Sequence, residues 1–123
     1  MRNALPHPVA RFVDERLRAL GRDISVVDRS GTRRYHRSPQ ARIRTDAAAS
    51  VEHRVDKLFA VVRPLATRVD VGFYKLGLAR SKRILHARGH LPFVPYRVEV
   101  EAPGDVDREL LAWVTESYEL SLP

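Results

Sequence analysis

The sequence predicts an α+β domain of two layers, in which a mostly antiparallel sheet of about five strands is packed by an N-terminal and a C-terminal helix. Apolar residues recur at helical spacing near both ends of the chain, and short β-prone runs separated by turn residues lie between them. A chain of 123 residues, 44% of them hydrophobic, is long enough for one buried core. We therefore expect a single domain over residues 1–123, with residues 1–5 flexible.

The first helix begins at Pro8, because a proline loses nothing at a helix N-terminus, and it ends near Gly21. The pair Asp14 and Arg18 stands at i,i+4 on its outer face, a spacing that stabilises a helix by a few tenths of a kcal/mol. Its apolar stripe consists of Val9, Phe12, Val13, Leu17 and Leu20.

Short β-prone segments follow the first helix. Residues 24–27 and 32–37 predict the two arms of a hairpin around the turn residues 28–31. Alternation over residues 41–45 indicates a half-exposed strand. The helical pattern over residues 46–55 is too short to predict a full helix, so we interpret this segment as a loop with one helical turn.

Three further strands complete the predicted sheet. Residues 58–62 form an apolar run, residues 67–75 alternate apolar and polar side chains, and residues 96–100 alternate in the same way. In the last of these strands we expect Arg97 and Glu99 to point outward.

The C-terminal helix starts after Pro103 and Gly104, with Asp105 as the expected cap. Asp107 and Glu109 suit the positive end of the helix dipole. Its inner stripe consists of Val106, Leu110, Trp113, Val114 and Ser117.

Charge is distributed unevenly along the chain, whose formal net charge is +7. Residues 1–90 hold 20 of the 22 Lys and Arg and 8 of the 15 Asp and Glu, which gives +12, and residues 91–123 give −5. A basic body of this kind attracts anionic partners.

Several chemistries are excluded or disfavoured. The chain has no cysteine, which excludes disulfides, thiolate metal sites and a Cys nucleophile. No apolar run approaches the length that crosses a bilayer, so we expect a cytoplasmic protein without a membrane partner. His86 and His90 stand at i,i+4, but Gly89 weakens a helix there, and we expect solvent-facing histidines with no metal and no cofactor.

The C-terminal half carries a recognisable order of motifs: Phe59-Ala60-Val61-Val62-Arg63-Pro64, then Arg68-Val69-Asp70-Val71-Gly72-Phe73, a basic loop, Val98-Glu99-Val100, and Asp105-Val106-Asp107-Arg108-Glu109-Leu110-Leu111. This order resembles the bacterial domain-of-unknown-function family 5655, with a looser similarity to YdhG/YjbR-like α+β proteins. The resemblance covers roughly residues 56–120. It implies a small helix-capped antiparallel sheet and supplies no established activity.

The strongest functional candidate is the basic segment over residues 76–92, interpreted as a loop or a short helix that follows a strand ending in aromatic residues. Rings stack on bases while Arg and Lys neutralise phosphates. The predicted ligand-binding residues are Tyr74, Lys75, Arg80, Lys82 and Arg83, joined by Arg42 and Arg44 from a neighbouring strand. They predict a binding module for a nucleic acid or a phosphorylated compound.

Two other classes of function stay open. One is a protein-interaction domain or homodimer, which uses an exposed strand edge or the apolar connector over residues 91–95. The other is an enzyme or carrier that acts on a small molecule between sheet and helices, with His36, Tyr35 and Glu99 as weak candidates for catalysis. The chain contains no nucleophile elbow, P-loop, dinucleotide-binding or zincin motif, so a non-enzymatic function is favoured.

Overall fold

The sheet and helices form where the apolar periodicity predicts them. The computed structural model describes residues 7–38, 57–77 and 81–121. Its elements are α1 (Pro8–Arg18), β1 (Ile24–Arg29), β2 (Thr32–Arg37), β3 (Lys57–Pro64), β4 (Val69–Phe73), β5 (Leu85–His86), β6 (Tyr96–Val100), a 3₁₀ turn (Pro103–Asp105) and α2 (Arg108–Leu120). The predicted α+β class is confirmed.

The sheet has the strand order β1-β2-β3-β4-β6-β5, and every neighbouring pair is antiparallel. It has six strands in the described residues rather than about five. The short β5 lies in the segment interpreted as a basic loop or short helix, and it pairs with β6 through Leu85 and His86. The predicted strand over residues 41–45 and the loop over 46–55 lie outside the described residues.

Both helices pack on one face of the sheet, called here the helix face. The buried side chains of this core come from α1, from α2 and from the four central strands. They include Val13, Leu17, Phe59, Phe73, Val98, Leu110 and Val114. The predicted ion pair between Asp14 and Arg18 forms, at 3.0 Å.

Helix α2 is capped by Asp107 rather than by Asp105. The Asp107 carboxylate accepts a hydrogen bond from the backbone N–H of Leu110 at 3.0 Å. Asp105 instead accepts from the backbone N–H groups of Glu101 and Ala102 and closes the preceding 3₁₀ turn. The chain therefore turns once more before α2 begins, which moves the cap two residues along the chain.

The β1–β2 hairpin closes through a two-residue turn. Ser30 and Gly31 have φ angles of +56° and +80°, and they lie between the paired residues Arg29 and Thr32. Positive φ at both central residues is the geometry that matches the twist of a tight hairpin. The hairpin predicted from these turn residues is confirmed.

A β-bulge in β3 changes which side chains reach the helix face. Tyr35 is paired with Ala60 and His36 with Leu58, so Phe59 is an extra residue in the ladder. Consequently Phe59 and Ala60 both belong to the core under the helices, whereas Leu58 packs on the opposite face.

The bulge also gives α2 a hydrogen-bonded attachment to the sheet. The buried Ser117 hydroxyl donates to the carbonyl of Phe59 at 2.6 Å and accepts from the N–H of Tyr74 at 2.9 Å. Backbone groups at a break in the ladder need such partners when they are buried. One serine thus joins α2 to β3 and to the end of β4.

The opposite face of the sheet is partly covered by residues 87–95, called here the cover segment. Its ends meet where the N–H of Ala87 donates to the carbonyl of Pro95 at 3.0 Å. Ala87, Leu91 and Val94 are buried against Val61 of β3. Gly72 of β4 makes this contact possible, because a Cβ there would lie 2.6 Å from Leu91 Cδ1 and 2.5 Å from Val94 Cγ2.

Two outward-pointing charged side chains of this part of the sheet are nevertheless shielded from solvent. Arg97 is 7% exposed, and Asp70 on the neighbouring strand is 1% exposed. Strand alternation does place both side chains away from the helices, as predicted. The period-2 pattern cannot show that a later loop folds over that face, because the loop itself has no periodicity.

We expect Gly72→Ala to destabilise the domain by about 1–3 kcal/mol, since the added methyl overpacks the contact between the sheet and the cover segment. Urea unfolding measures the change. Gly104→Ala is the matched control, because no atom lies within 4 Å of a Cβ built at that exposed glycine. Equal stability of the two variants would show that the cover segment is not seated against Gly72.

Candidate functional site

The covered face of the sheet carries a balanced cluster of charges at its β4–β6 side. Asp70 accepts a hydrogen bond from Nε of Arg68 at 2.8 Å and lies 3.6 Å from the guanidinium of Arg97. Arg97 in turn donates to Glu99 at 2.6 Å and to the carbonyl of His86 at 2.9 Å. Two carboxylates are thereby matched by two guanidinium groups.

Two arginines on the same face lack such partners. Arg34 of β2 is paired in register with Val61 of β3, and Arg63 stands two residues further along β3. Their side chains share the covered face as diagonal neighbours, whose backbones lie about 7–8 Å apart in such a pair of strands. Neither forms an ion pair within the described residues, so this side of the face carries uncompensated positive charge.

Arg34 is also incompletely hydrogen-bonded. Its Nε is shielded from solvent and has no partner in the described part of the chain. Its guanidinium lies over the ring of Phe93, 4.6 Å from the centroid. A buried donor without a partner is uncommon and costs free energy, and it is typical of a site that completes its hydrogen bonds with something else.

Phe93 is displayed by a strained turn of the cover segment. The N–H of Val94 donates to the carbonyl of Pro92 at 2.9 Å, and Phe93 between them has a φ of +72°. This is a γ-turn of the positive-φ form, which is rare and strained for a bulky residue. The ring is nevertheless 60% exposed, so apolar burial does not explain why the residue is held there.

The side chain of Tyr74 is hydrogen-bonded to this turn. Its hydroxyl donates to the carbonyl of Phe93 at 2.7 Å. The interaction joins the end of β4 to the tip of the cover segment. Tyr74 therefore packs against the cover segment, and its hydroxyl is used inside the protein.

A cleft of about 290 Å³ opens beside this turn. It lies between the end of β3 and the cover segment and is lined by Arg63, Gly89, His90, Leu91 and Pro92. We call the group formed by Arg34, Arg63, His90 and Phe93 the cationic cleft. It combines two charged donors, an imidazole and an exposed ring, which are the groups that bind phosphates and stack on planar rings.

The basic segment predicted as the ligand-binding surface has a different arrangement. Arg83 donates to Asp107 at 3.0 Å, to Glu109 at 2.9 Å and to the carbonyl of Asp105 at 2.9 Å. Its guanidinium also lies 5.6 Å from the ring centroid of Trp113. Arg83 thus secures the start of α2, and its charge is already matched.

The other predicted ligand-binding residues are scattered. Lys75 lies 3.7 Å from Glu116, and with Tyr74 it lines a mostly apolar cleft of about 490 Å³ at the C-terminal end of α2. Lys82 is exposed. Arg42, Arg44 and Arg80 lie outside the described residues, so their place on a shared surface stays a prediction.

The three weak catalytic candidates are not brought together. Tyr35 is fully buried on the helix face, where its hydroxyl donates to Asp14 at 2.5 Å, whereas His36 and Glu99 lie on the covered face. Burial and the adjacent Asp14 carboxylate raise the pKa of the Tyr35 phenol well above its usual value. Glu99 lies on β6, which β3 and β4 separate from β2, and it is hydrogen-bonded to Arg97, so these residues form no acid–base pair with one another.

Two other features bear on function. Within residues 7–38, 57–77 and 81–121, no three His, Cys, Asp or Glu side chains cluster as metal ligands. His86 lies in β5 and is followed by turns, so it does not share a helix with His90. Among the same residues, neither helix has the length and apolarity needed to cross a membrane.

Arg34, Arg63, His90 and Phe93 were not among the predicted site residues. Alternation in β2 places Arg34 and Tyr35 on different faces of the sheet, and Arg63 follows the apolar run of β3. Both arginines therefore resemble ordinary strand residues. Phe93 did carry a signal, because an aromatic residue between Pro92 and Pro95 in a connector suggests a rigid rim.

We expect Arg83→Ala to lower the Tm by about 2–4 °C at pH 7, because it removes the partner of two carboxylates at the start of α2. The hydrogen bond from Leu110 N–H and the guanidinium of Arg83 hold the pKa of Asp107 below its usual value of 3.8. The stabilisation is therefore present above that pH and is lost as the pH falls below it.

Thermal unfolding at pH 7 and about pH 3 measures this difference. Lys82→Ala is the control, since Lys82 is an exposed neighbour without an ion pair among the described residues. A Tm loss in Arg83→Ala that is the same at both pH values would contradict the assignment of Arg83 to the α2 cap.

Comparison with known proteins supports the resemblance found in the sequence. The family model described as "Domain of unknown function (DUF5655)" matches residues 39–121. No curated protein and no solved structure matches the chain, and the looser similarity to YdhG/YjbR-like proteins is not shown. The matched range includes β3 to α2, and thus Arg63, Tyr74 and the whole cover segment, while Arg34 precedes it. The chain belongs to the DUF5655 family.

Proposed function

We propose that this protein is a small binding module that takes the phosphate of a phosphorylated compound or a nucleic acid in the cationic cleft. The single observation that carries the proposal is the pairing of charges on the covered face. Asp70 and Glu99 are matched by Arg68 and Arg97, whereas no carboxylate in residues 7–38, 57–77 and 81–121 pairs with Arg34 or Arg63.

The positions of the two unmatched arginines favour an anionic ligand over a purely solvated surface. Among the described residues, the arginines with carboxylate partners are Arg18, Arg33, Arg37, Arg68, Arg83 and Arg97. Arg34 and Arg63 are among those without an ion pair, and what sets these two apart is that they lie on neighbouring strands of one face. Like charges so placed repel one another, and a bound phosphate removes the repulsion.

The cleft also offers a suitable shape. It is open to solvent and has Arg63 and His90 on its walls, so a phosphate can enter without a rearrangement of the sheet. The Arg34 guanidinium lies 4.6 Å from the ring of Phe93, the residue that follows the lining residue Pro92. Charge-assisted hydrogen bonds from guanidinium to phosphate are among the stronger polar contacts in proteins.

The ligand-binding residues predicted from the sequence have a secondary role in the proposed binding. Exposed Lys82 adds to the positive potential that attracts an anion, together with Arg42, Arg44 and Arg80 as predictions. Tyr74 acts through Phe93, because its hydroxyl holds the carbonyl of that residue. Arg83 is assigned to stability.

We expect Arg34→Ala and Arg63→Ala each to weaken binding of an anionic probe about tenfold, because each removes one charge-assisted contact. The probe is a fluorescent deoxyribose-phosphate decamer without bases, measured by fluorescence anisotropy at several salt concentrations. The slope of log Kd against log salt should also become shallower in both variants, since fewer counterions are released.

Arg11→Ala is the matched control. Arg11 is an exposed arginine on α1, on the other side of the sheet, and its substitution removes the same charge from the protein. If Arg11→Ala weakens the decamer as much as Arg34→Ala and Arg63→Ala do, binding follows net charge alone and the cleft is not the site. Absence of binding by the unmodified protein at low salt would overturn the proposed function.

A further inference from the structure

Phe93 has a role that phosphate binding does not require. Arg34, Arg63 and His90 suffice for an anion, yet the most exposed aromatic ring in the described residues stands beside them. A single exposed apolar side chain is common, but this one is held in a strained turn against the guanidinium of Arg34. The question is therefore what planar or apolar group it contacts.

The ring is held in place from two sides. The γ-turn fixes the backbone of Phe93, and the Tyr74 hydroxyl anchors its carbonyl at 2.7 Å. Leu91 and Val94 on either side are buried against the sheet. Strain of this kind persists only where the surroundings enforce it, and it is concentrated at binding sites.

One face of the ring is already occupied. The Arg34 guanidinium lies 4.6 Å from the centroid, and the attraction between a cation and a ring fixes the orientation of both. The residue is still 60% exposed, so contact with Arg34 leaves much of it accessible to solvent. The arrangement is a two-layer stack, guanidinium and ring, with a free place for a third planar group.

We infer that the ligand of the cationic cleft is a single-stranded nucleic acid, with one base stacked on the open face of Phe93 and a neighbouring phosphate bound by Arg63. The inference rests on the proposed function, because it assigns the phosphate to the same cleft. A base has the flat π-face that stacks on an aromatic side chain, and its chain supplies phosphates within reach of the arginines. In a duplex both faces of each base are covered by its neighbours, so unpaired bases are the ones that stack on protein rings.

Arg34 has two roles in this arrangement. Its guanidinium supports the ring from behind, and its remaining N–H groups face the backbone of the same ligand. Tyr74 is a positioning residue, since it touches Phe93 and not the ligand. The chemistry is shared by DNA and RNA, and nothing in the stack distinguishes them.

The experiment compares probes of equal charge with and without bases. Decathymidylate and decauridylate are measured against the base-free decamer by fluorescence anisotropy at one salt concentration. We expect at least one base-containing strand to bind about tenfold more tightly than the base-free strand, as the stacking of one base allows. Phe93→Ala should remove this advantage, so that the base-containing and base-free strands bind that variant with similar affinity.

Two further variants make the test specific. Tyr74→Phe removes only the hydroxyl and should reduce the advantage of the base-containing strand over the base-free strand about two- to fivefold. Leu76→Ala is the control, because Leu76 is 66% exposed and apolar but does not line the cleft. It should change neither affinity.

The outcomes separate the two proposals. If the base-free decamer binds in a manner that depends on Arg34 and Arg63, but bases add nothing and Phe93→Ala is silent, the inference fails and the proposed function stands. If no probe binds, both fail. A hybridised duplex of the same strand that binds as tightly as the single strand would likewise overturn the inference, because its bases are not free to stack.

Discussion

The structure of the covered face depends on one close contact, that of Leu91 and Val94 with the backbone at Gly72. Any side chain at this position of β4 would overlap both residues. Because the contact is made, the cover segment lies on the sheet, and two consequences follow. Asp70 and Arg97 are shielded from solvent on the same face of the sheet. Phe93 is exposed at the tip of the cover segment, in a turn that its buried neighbours enforce.

Some of the described arginines have carboxylate partners, and their contribution is to stability. They include Arg83 at the start of α2 and the two arginines of the β4–β6 cluster. Arg34 and Arg63 lie across the cover segment from that cluster and have none in the described residues. A protein with a net charge of +7 must leave some cations unpaired, but here two unpaired guanidinium groups adjoin a cleft and an exposed ring.

Much of the fold could be predicted from the sequence, because helical spacing, alternation and turn residues are local signals. Ser30 and Gly31 predicted the hairpin, and the apolar stripes predicted both helices and the face they cover. The bulge at Phe59 and the seating of the cover segment could not be predicted. They depend on contacts between residues distant in the chain, and such contacts leave no periodic pattern.

The candidate site in the structure differs from the predicted one for the same reason. The run of cations over residues 80–83 attracts attention in the sequence, but Arg83 meets carboxylates that lie more than twenty residues away in α2. Arg34 and Arg63 look unremarkable as strand residues until the register places them on one face. Clustering along the chain was thus a poor guide to clustering in space, whereas the aromatic connector around Phe93 was a better one.

The most direct test of this account is an NMR titration of the ¹⁵N-labelled protein with the base-free decamer and with decathymidylate, followed through backbone amides and arginine Nε–H signals. The account predicts that both strands shift the signals of Arg34, Arg63 and His90, and that decathymidylate also shifts Phe93. Shifts confined to Lys75, Lys82 and Arg83, with the cationic cleft unchanged, would contradict it.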